Sequence, residues 1–310
     1  MLWPWDNGAC IKNKSSKKEL MNKLLVILAL LFLVSCQQNT QQNKVSGTQT
    51  DDLGKLFIIG GGDRSPKLVK DMLDAAEMGE SDYVVVLPMS SAEPDTAYYY
   101  AKQPLVDIGF PAEKIFNFNF SVNNGNRAAL VDSLANAKLI YICGGDQSRF
   151  MKVVAGNEIY EAIKSAYQKG ALIAGTSAGA AVMSKIMITG DEYKHPEYTG
   201  DFKTIEAENM ILAEGMGLIE GAIIDQHFIK RMRMNRLISV VLENAGNTGI
   251  GIDESTAILV QGNTAKVFGI SQVIVIRNPG GTFKVQNGLL AAENLELDVY
   301  VEDDQFLIRK

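Results

Sequence analysis

The feature that most constrains this chain is an alternation of short apolar runs with helical patterns between residues 55 and 177. Runs rich in Val, Ile and Leu predict strands at 55–61, 82–88, 114–120, 138–145 and 170–177. Helical patterns lie between them at 66–79, near 95–108, at 126–137, at 147–154 and at 158–169. Strands that are apolar at nearly every position and alternate with helices are typical of a parallel sheet covered on both faces. We therefore expect an α/β fold.

The C-terminal part has a different pattern. Residues 256–269 predict a β-hairpin with Gly262 and Asn263 at its turn. Residues 271–278 and 298–309 add strand-like segments, so we expect an antiparallel edge. Because no repeat or linker interrupts residues 55–310, we predict one domain there.

The N-terminal segment has the pattern of an export signal. Lysines at 17, 18 and 23 precede the apolar run LLVILALLFLV at 24–34, which is too short for a comfortable membrane span. The run ends Leu33-Val34-Ser35-Cys36, which resembles the lipobox of bacterial lipoproteins and implies lipidation of Cys36. We expect a signal peptide and lipobox at 1–36, a flexible linker at 37–54, and a protein anchored to the cell envelope by lipid or secreted. The alternatives are an uncleaved apolar anchor and another cleavage site.

Charge and composition exclude several classes of function. The 310 residues carry 30 Lys and Arg against 36 Asp and Glu, a net charge of −6, which argues against a nucleic-acid-binding protein. The chain has two His and no Cys cluster, so the sequence predicts neither a metal site nor a cofactor. His195 lies in a polar loop before Pro196, where we expect a solvated side chain.

One motif predicts covalent catalysis. Gly-x-Ser-x-Gly at 175–179 follows an apolar strand and precedes small residues that suit a helix start. This context is typical of a nucleophile elbow, which exposes the serine hydroxyl at a helix N-terminus. Ser177 is therefore the candidate nucleophile, and the alternative is a Gly-rich turn that only packs against the sheet.

A serine nucleophile needs a base and a group that orients the base. His227 follows the apolar run 221–226 and Glu254 follows 249–252, so both lie at predicted strand ends, where parallel sheets hold their sites. We expect Ser177, His227 and Glu254 to meet over one sheet edge. Asp253 competes with Glu254, because neighbours on a strand point in opposite directions.

Two further segments flank these candidates. Gly144-Gly145-Asp146-Gln147 follows another strand, and the N–H groups of Gly145 and Ala178 are candidate oxyanion donors, with a simple turn as the alternative. We interpret Gly60-Gly61-Gly62-Asp63 as structural. After His227, four cations in seven residues predict either a solvated helix start or a grip on carboxylates. They are Lys230, Arg231, Arg233 and Arg236.

These four motifs, at 144–147, 175–180, 225–228 and 251–254, together resemble the cyanophycinases of the serine peptidase family that includes dipeptidase E. The resemblance covers about residues 55–275. It implies a three-layer α/β/α sandwich like that of class I glutamine amidotransferases, with Ser177, His227 and Glu254 as a catalytic triad. It also implies a substrate pocket made of Gln147, Gln226, Arg231, Arg233 and Arg236.

The resemblance implies hydrolysis of cyanophycin, a poly-aspartate with arginine on each β-carboxyl, to β-aspartyl-arginine from a chain end. Two alternatives stay open: a peptidase of short aspartyl or isoaspartyl peptides, and a non-catalytic peptide-binding lipoprotein. A cysteine amidotransferase is disfavoured, because the elbow carries Ser and Cys143 belongs to a predicted strand. A homodimer is a further alternative to a monomer.

Overall fold

The computed structural model describes residues 53–122, 127–197 and 202–309. The expected signal segment 1–36, with Cys36, lies outside these residues, as does all of the expected linker except Leu53 and Gly54. Among the helices of the described residues, none combines the length and the apolar character needed to cross a bilayer.

The predicted helices form with small changes in their ends. The helices of the described residues are α1 (Pro66–Ala76), α2 (Pro94–Asp107), α3 (Arg127–Ala135), α4 (Gln147–Val154), α5 (Glu158–Gln168), α6 (Ala178–Ala181) and α7 (Met234–Glu243). Side-chain caps fix several starts: Ser65 accepts from the N–H of Leu68, and Asp146 accepts from the N–H of Arg149.

Strands alternate with the helices up to residue 176, and most of the later elements of the described residues are strands. The first eight strands are β1 (Lys55–Ile59), β2 (Val84–Leu87), β3 (Ile115–Asn117), β4 (Leu139–Ile142), β5 (Leu172–Thr176), β6 (Ile186–Glu192), β7 (Met210–Glu214) and β8 (Ala222–Gln226). The later ones are β9 (Thr248–Ile252), β10 (Thr256–Gln261), β11 (Thr264–Gly269), β12 (Val273–Arg277), β13 (Lys284–Gln286), β14 (Leu289–Ala291), β15 (Glu296–Tyr300) and β16 (Gln305–Leu307).

The largest sheet has eight strands in the order β16-β11-β10-β1-β5-β4-β2-β3. Its half from β1 to β3 is parallel, and β5 lies between β1 and β4 in register, with Thr176 opposite Ile59 and Ala174 opposite Tyr141. The strands β10, β11 and β16 are antiparallel. The predicted α/β fold with a mostly parallel sheet and an antiparallel C-terminal edge is confirmed.

Both faces of this sheet are buried, which explains the continuous apolar runs. In β1, Leu56 and Ile58 pack in one core with α3, α4 and α5, whereas Phe57 and Ile59 pack in a second core with α1 and α2. Side chains alternate between the two faces of a strand, so each strand serves both cores. The result is a three-layer sandwich.

A second sheet corrects the expectation of one shared sheet edge. It has the order β15-β12-β9-β8, with β8 and β9 parallel, and α7 packs against it. His227 and Glu254 follow strands of this sheet, whereas Ser177 follows β5 of the larger one. The strand ends still meet, because the N–H of His227 donates to the carbonyl of Gly60, directly after β1 (2.7 Å).

Candidate active site

Ser177 lies in a sharp turn between β5 and α6. Its backbone has φ +54° and ψ −113°, a conformation that non-glycine residues adopt only under constraint from their surroundings. The flanking glycines allow that turn. A Cβ on Gly175 would lie 2.3 Å from the carbonyl oxygen of Gly179, and a Cβ on Gly179 would lie 2.2 Å from that of Ile142. The local geometry is that of a nucleophile elbow.

Three side chains form a continuous hydrogen-bonded chain at this turn. Oγ of Ser177 lies 2.8 Å from Nε2 of His227, and Nδ1 of His227 lies 2.7 Å from Oε1 of Glu254. His227 is buried and Glu254 is partly exposed. With the imidazole neutral, the Ser177 hydroxyl donates to Nε2 while Nδ1–H donates to the carboxylate. This order of contacts suits general-base activation of a serine.

Asp253, the alternative partner for the imidazole, has other contacts. Its Oδ1 accepts from the N–H groups of Ile229 (3.1 Å) and Lys230 (2.9 Å). Its Oδ2 accepts from the hydroxyl of Ser271 (2.7 Å). Asp253 therefore holds the turn that follows His227, and Glu254 is the carboxylate that contacts the ring.

The pKa of His227 is lowered from its ordinary value of 6.5. Burial is the main cause, because it disfavours the charged imidazolium, and the charges of Arg231 and Arg233 act in the same direction. The hydrogen bond to Glu254 opposes this shift. The imidazole is therefore neutral at neutral pH, the form in which Nε2 can accept a proton.

The glycine cluster after β1 contacts the side chains of His227 and Glu254. Sequence reasoning missed these contacts. A Cβ on Gly61 would lie 2.3 Å from Cε1 of His227, and a Cβ on Gly62 would lie 2.7 Å from Cβ of Glu254. The sequence alone favours a structural role for this cluster, although its position at a strand end is a usable signal of a site. Arg64 fixes this loop by donating to the hydroxyl of Tyr141 on β4 (2.5 Å).

The segments that carry the predicted oxyanion donors adjoin Ser177, and Gly145 lines the same cavity as Ser177. A Cβ on Gly144 would lie 3.3 Å from Cβ of Ser177. Gly145 has φ +138°, and a Cβ there would lie 2.3 Å from the carbonyl oxygen of Ser90, so this turn requires glycine. Ala178 directly follows the elbow and is buried. The role of the N–H groups of Gly145 and Ala178 stays a prediction.

A cavity of about 490 Å³ opens beside Ser177. All five residues expected in a substrate pocket line it: Gln147, Gln226, Arg231, Arg233 and Arg236. Its volume lies in the range of small-molecule sites. Among the described residues that line it there is no large apolar side chain. The cavity therefore suits a polar, charged ligand.

The three arginines have different environments. Arg236 is buried, and its guanidinium binds Asp225 through Nε (2.7 Å) and Nη2 while lying 4.7 Å from the ring of Phe202. Arg233 is also buried and donates to the main-chain oxygen (2.7 Å) and Oε1 (2.8 Å) of Gln226. Arg231 is exposed. Two of the three arginines thus form the cavity wall and the third, Arg231, is exposed, while the grip on carboxylates stays a prediction.

The other titratable candidates have no part in this arrangement. Burial raises the pKa of the Cys143 thiol, which follows β4 directly, to about 12, so it is not a thiolate nucleophile. His195 is exposed, with Nε2 2.8 Å from Oε2 of Glu206, and it does not line the cavity. In the part of the chain that the structure describes, no cluster of three His, Cys, Asp or Glu residues could hold a metal ion.

Comparison with known proteins identifies a family for this chain. The model of peptidase family S51 matches residues 56–268. A cyanophycinase of a Nostoc species is 32% identical over 262 residues, which cover 81% of this chain and 84% of that protein. The cyanophycinase of Geminocystis herdmanii is 28% identical over 236 residues, covering 74% of this chain and 83% of that protein.

Solved structures share the fold at lower identity. A peptidase from an acI-B1 actinobacterium superposes with a TM-score of 0.60 at 19% identity, covering 83% of this chain and 97% of that one. A putative peptidase E from Listeria monocytogenes has a TM-score of 0.52 at 15% identity, covering 71% of this chain and 100% of that one. These likenesses support the expected sandwich.

Proposed function

This chain belongs to peptidase family S51 and is a serine-type peptidase, and on that premise we propose that it is an exopeptidase that hydrolyses cyanophycin to β-aspartyl-arginine. The observation that carries the proposal is the Glu254–His227–Ser177 hydrogen-bonded chain beside a cavity lined by charged side chains. The cyanophycinases among its relatives support this choice of substrate.

The first half of the reaction forms an acyl-enzyme on Ser177. Oγ attacks the carbonyl carbon of the backbone amide while Nε2 of His227 takes the hydroxyl proton. The carbonyl electron pair moves to oxygen, where the N–H groups of Gly145 and Ala178 stabilise the negative charge. Glu254 stabilises the imidazolium. When the C–N bond breaks, the leaving amine takes the proton from His227.

The second half returns the enzyme to its starting state. Water donates a proton to Nε2 of His227 as its oxygen attacks the acyl carbon. The tetrahedral intermediate collapses, the bond to Oγ breaks, and Ser177 recovers its proton from the imidazolium. The product leaves with a free carboxylate. Residues of this chain perform each proton transfer, so the proposed cycle requires no cofactor.

The charges of the cavity favour a substrate that is itself charged. Each unit of cyanophycin carries a carboxylate and a guanidinium on its β-linked arginine. Arg231 and Lys152 are exposed cations in the cavity lining and suit the carboxylate. The substrate unit lies against a wall formed by the other predicted pocket residues, Gln147, Gln226, Arg233 and Arg236.

Mass spectrometry of the products from purified cyanophycin tests this proposal. Wild-type protein should release β-aspartyl-arginine, and Ser177→Ala should release none while keeping the same thermal stability. Ser81→Ala, at an exposed serine outside the cavity, is the matched control and should behave as wild type. Cleavage of short isoaspartyl peptides without cleavage of the polymer would favour a dipeptidase E-like activity instead. Peptide binding without turnover would favour a binding protein.

We further propose export and lipid anchoring through Cys36, on the lipobox-like sequence Leu33–Cys36. Expression in a bacterial host fed an alkyne fatty acid tests it. Labelled protein in the membrane fraction, lost in Cys36→Ala but kept in Cys143→Ala, is the expected result. Equal labelling of Cys36→Ala and wild type would contradict it.

A further inference from the structure

The strand β6 carries a bulge at the rim of the active-site cavity. Its pairing with β7 shifts register between Ile188 and Glu192, and Gly190 in the shifted segment has φ +100°. Bulges beside active sites redirect side chains. This one brings Thr189, Gly190 and Asp191 into the cavity lining.

Buried side chains of the cavity wall hold the bulge. Nε2 of Gln147 donates to the carbonyls of Ile188 (2.9 Å) and Thr189. A Cβ on Gly190 would lie 3.8 Å from the same Nε2 and 4.0 Å from Nη1 of Arg236. The N–H of Asp191 donates to Oγ1 of Thr189 (3.2 Å). The backbone that carries the Asp191 side chain is therefore fixed against the cavity.

The charged groups of the cavity divide into paired and available ones. Arg236 binds Asp225, Arg233 also faces Asp225 at 3.8 Å, and Asp146 accepts the N–H of Arg149 at the start of α4. The described residues provide neither an ion pair nor a side-chain hydrogen bond for the three remaining charged side chains of the lining. These are Lys152, Asp191 and Arg231.

We propose that Asp191 is a specificity-determining residue that binds the guanidinium of the substrate's β-linked arginine, while Arg231 and Lys152 face the arginine carboxylate. This inference rests on the proposed function and assigns its substrate selectivity. Two available cations and one available carboxylate match a group with charges of both signs. A carboxylate pairs with a guanidinium through two parallel hydrogen bonds, which a neutral side chain of the same shape cannot reproduce with equal strength.

Exchange of arginine for citrulline tests the assignment, because citrulline has the same shape without the positive charge. The substrates are short aspartate oligomers carrying either β-linked arginine or β-linked citrulline. Wild type should prefer arginine by about tenfold in kcat/KM, the size of one charge-assisted hydrogen-bonding interaction. Asp191→Asn should lose this preference through KM, and Asp191→Glu should restore part of it. Glu214→Gln, an exposed carboxylate of β7 outside the cavity, should keep it.

Binding to the Ser177→Ala protein separates this inference from the proposed activity. Calorimetry with β-aspartyl-arginine and β-aspartyl-citrulline should show the same roughly tenfold preference, lost when Asp191→Asn is added. Equal affinities for both dipeptides, or no binding of either, would overturn the role of Asp191 even if the wild type degrades the polymer. A preserved preference in binding without turnover by the wild type would contradict the proposed activity alone.

Discussion

Gly61 packs directly against the imidazole of His227. A methyl group on Gly61 would lie 2.3 Å from Cε1 of that ring, far inside van der Waals contact. The glycine loop after β1 therefore fixes the position of an imidazole that the second sheet supplies. This contact joins the two sheets at the site.

Gly61→Ala should impair catalysis by displacing the imidazole. The added methyl group overlaps the His227 ring, so the imidazole must move from its position beside Ser177, and a displacement of about 1 Å costs on the order of 100-fold in rate. Because Gly61 also has φ +111°, a control must carry the same backbone strain. Gly109, with φ +94° and nothing within 4 Å of its added Cβ, provides it. In a melting experiment, Gly61→Ala should lose at least as much thermal stability as Gly109→Ala, because it adds the overlap with the ring to the backbone strain. Equal kcat/KM in Gly61→Ala and Gly109→Ala would contradict the contact.

Glu254 and Asp253 are neighbours in the chain, but substitution of Glu254 should mainly reduce activity and substitution of Asp253 should mainly reduce stability. Glu254→Gln should lower kcat on the order of 10³-fold with little change in melting temperature, because it removes the charge that stabilises the imidazolium. Asp253→Asn should lower the melting temperature and have only a small effect on kcat. It weakens the three hydrogen bonds that the carboxylate accepts from Ile229, Lys230 and Ser271. Steady-state kinetics and calorimetry measure both. If Asp253→Asn caused the larger loss of kcat, the assignment of Glu254 would be wrong.

The lowered pKa of His227 predicts where kcat/KM declines on the acid side of its pH profile. Catalysis requires the neutral imidazole, so the midpoint of the decline of kcat/KM with falling pH should lie below the ordinary histidine pKa of 6.5. Arg231→Gln removes a charge that disfavours the imidazolium, so the decline should move to higher pH, whereas Arg231→Lys keeps the charge and the wild-type profile. A shift to lower pH in Arg231→Gln would contradict the electrostatic cause.

The buried ion pair predicts a division of roles among the arginines. Arg236→Leu removes both hydrogen bonds from Arg236 to the fully buried carboxylate of Asp225 and leaves it only Arg233 at 3.8 Å, so it should destabilise the fold by about 3–5 kcal/mol. Arg231→Leu, at an exposed position, should change stability by less than about 0.5 kcal/mol while raising KM. Urea denaturation of both variants measures the difference. Similar losses of stability would mean that Arg236 is not part of the framework.

The parallel half of the fold was predictable because each strand there is buried on both faces. Leu56 and Phe57 face different cores, so the run around them is apolar at every position and stands out from the helices. The elbow was equally visible, since the backbone at Ser177 demands small neighbours two positions away. These features depend on local sequence alone.

The second sheet and the β6–β7 pair depend on long-range contacts and were not predictable in the same way. Residues 186–192 mix apolar and polar side chains with a register shift at Gly190, so no regular period marks a strand. Arg236 and Arg231 belong to the same cation-rich segment, 230–236, and the sequence does not show which of them is buried. The burial of Arg236 comes from Asp225 and Phe202, which only the folded chain brings beside it.

The reactivity of Ser177 tests the central claim that Glu254, His227 and Ser177 act together to make a nucleophile. Intact-protein mass spectrometry after treatment with a fluorophosphonate, followed by peptide mapping, measures it. We predict a single adduct on the peptide that contains Ser177, formed on the order of 10³-fold more slowly in His227→Ala. Equal labelling of wild type and His227→Ala, or an adduct at another residue, would contradict the claim.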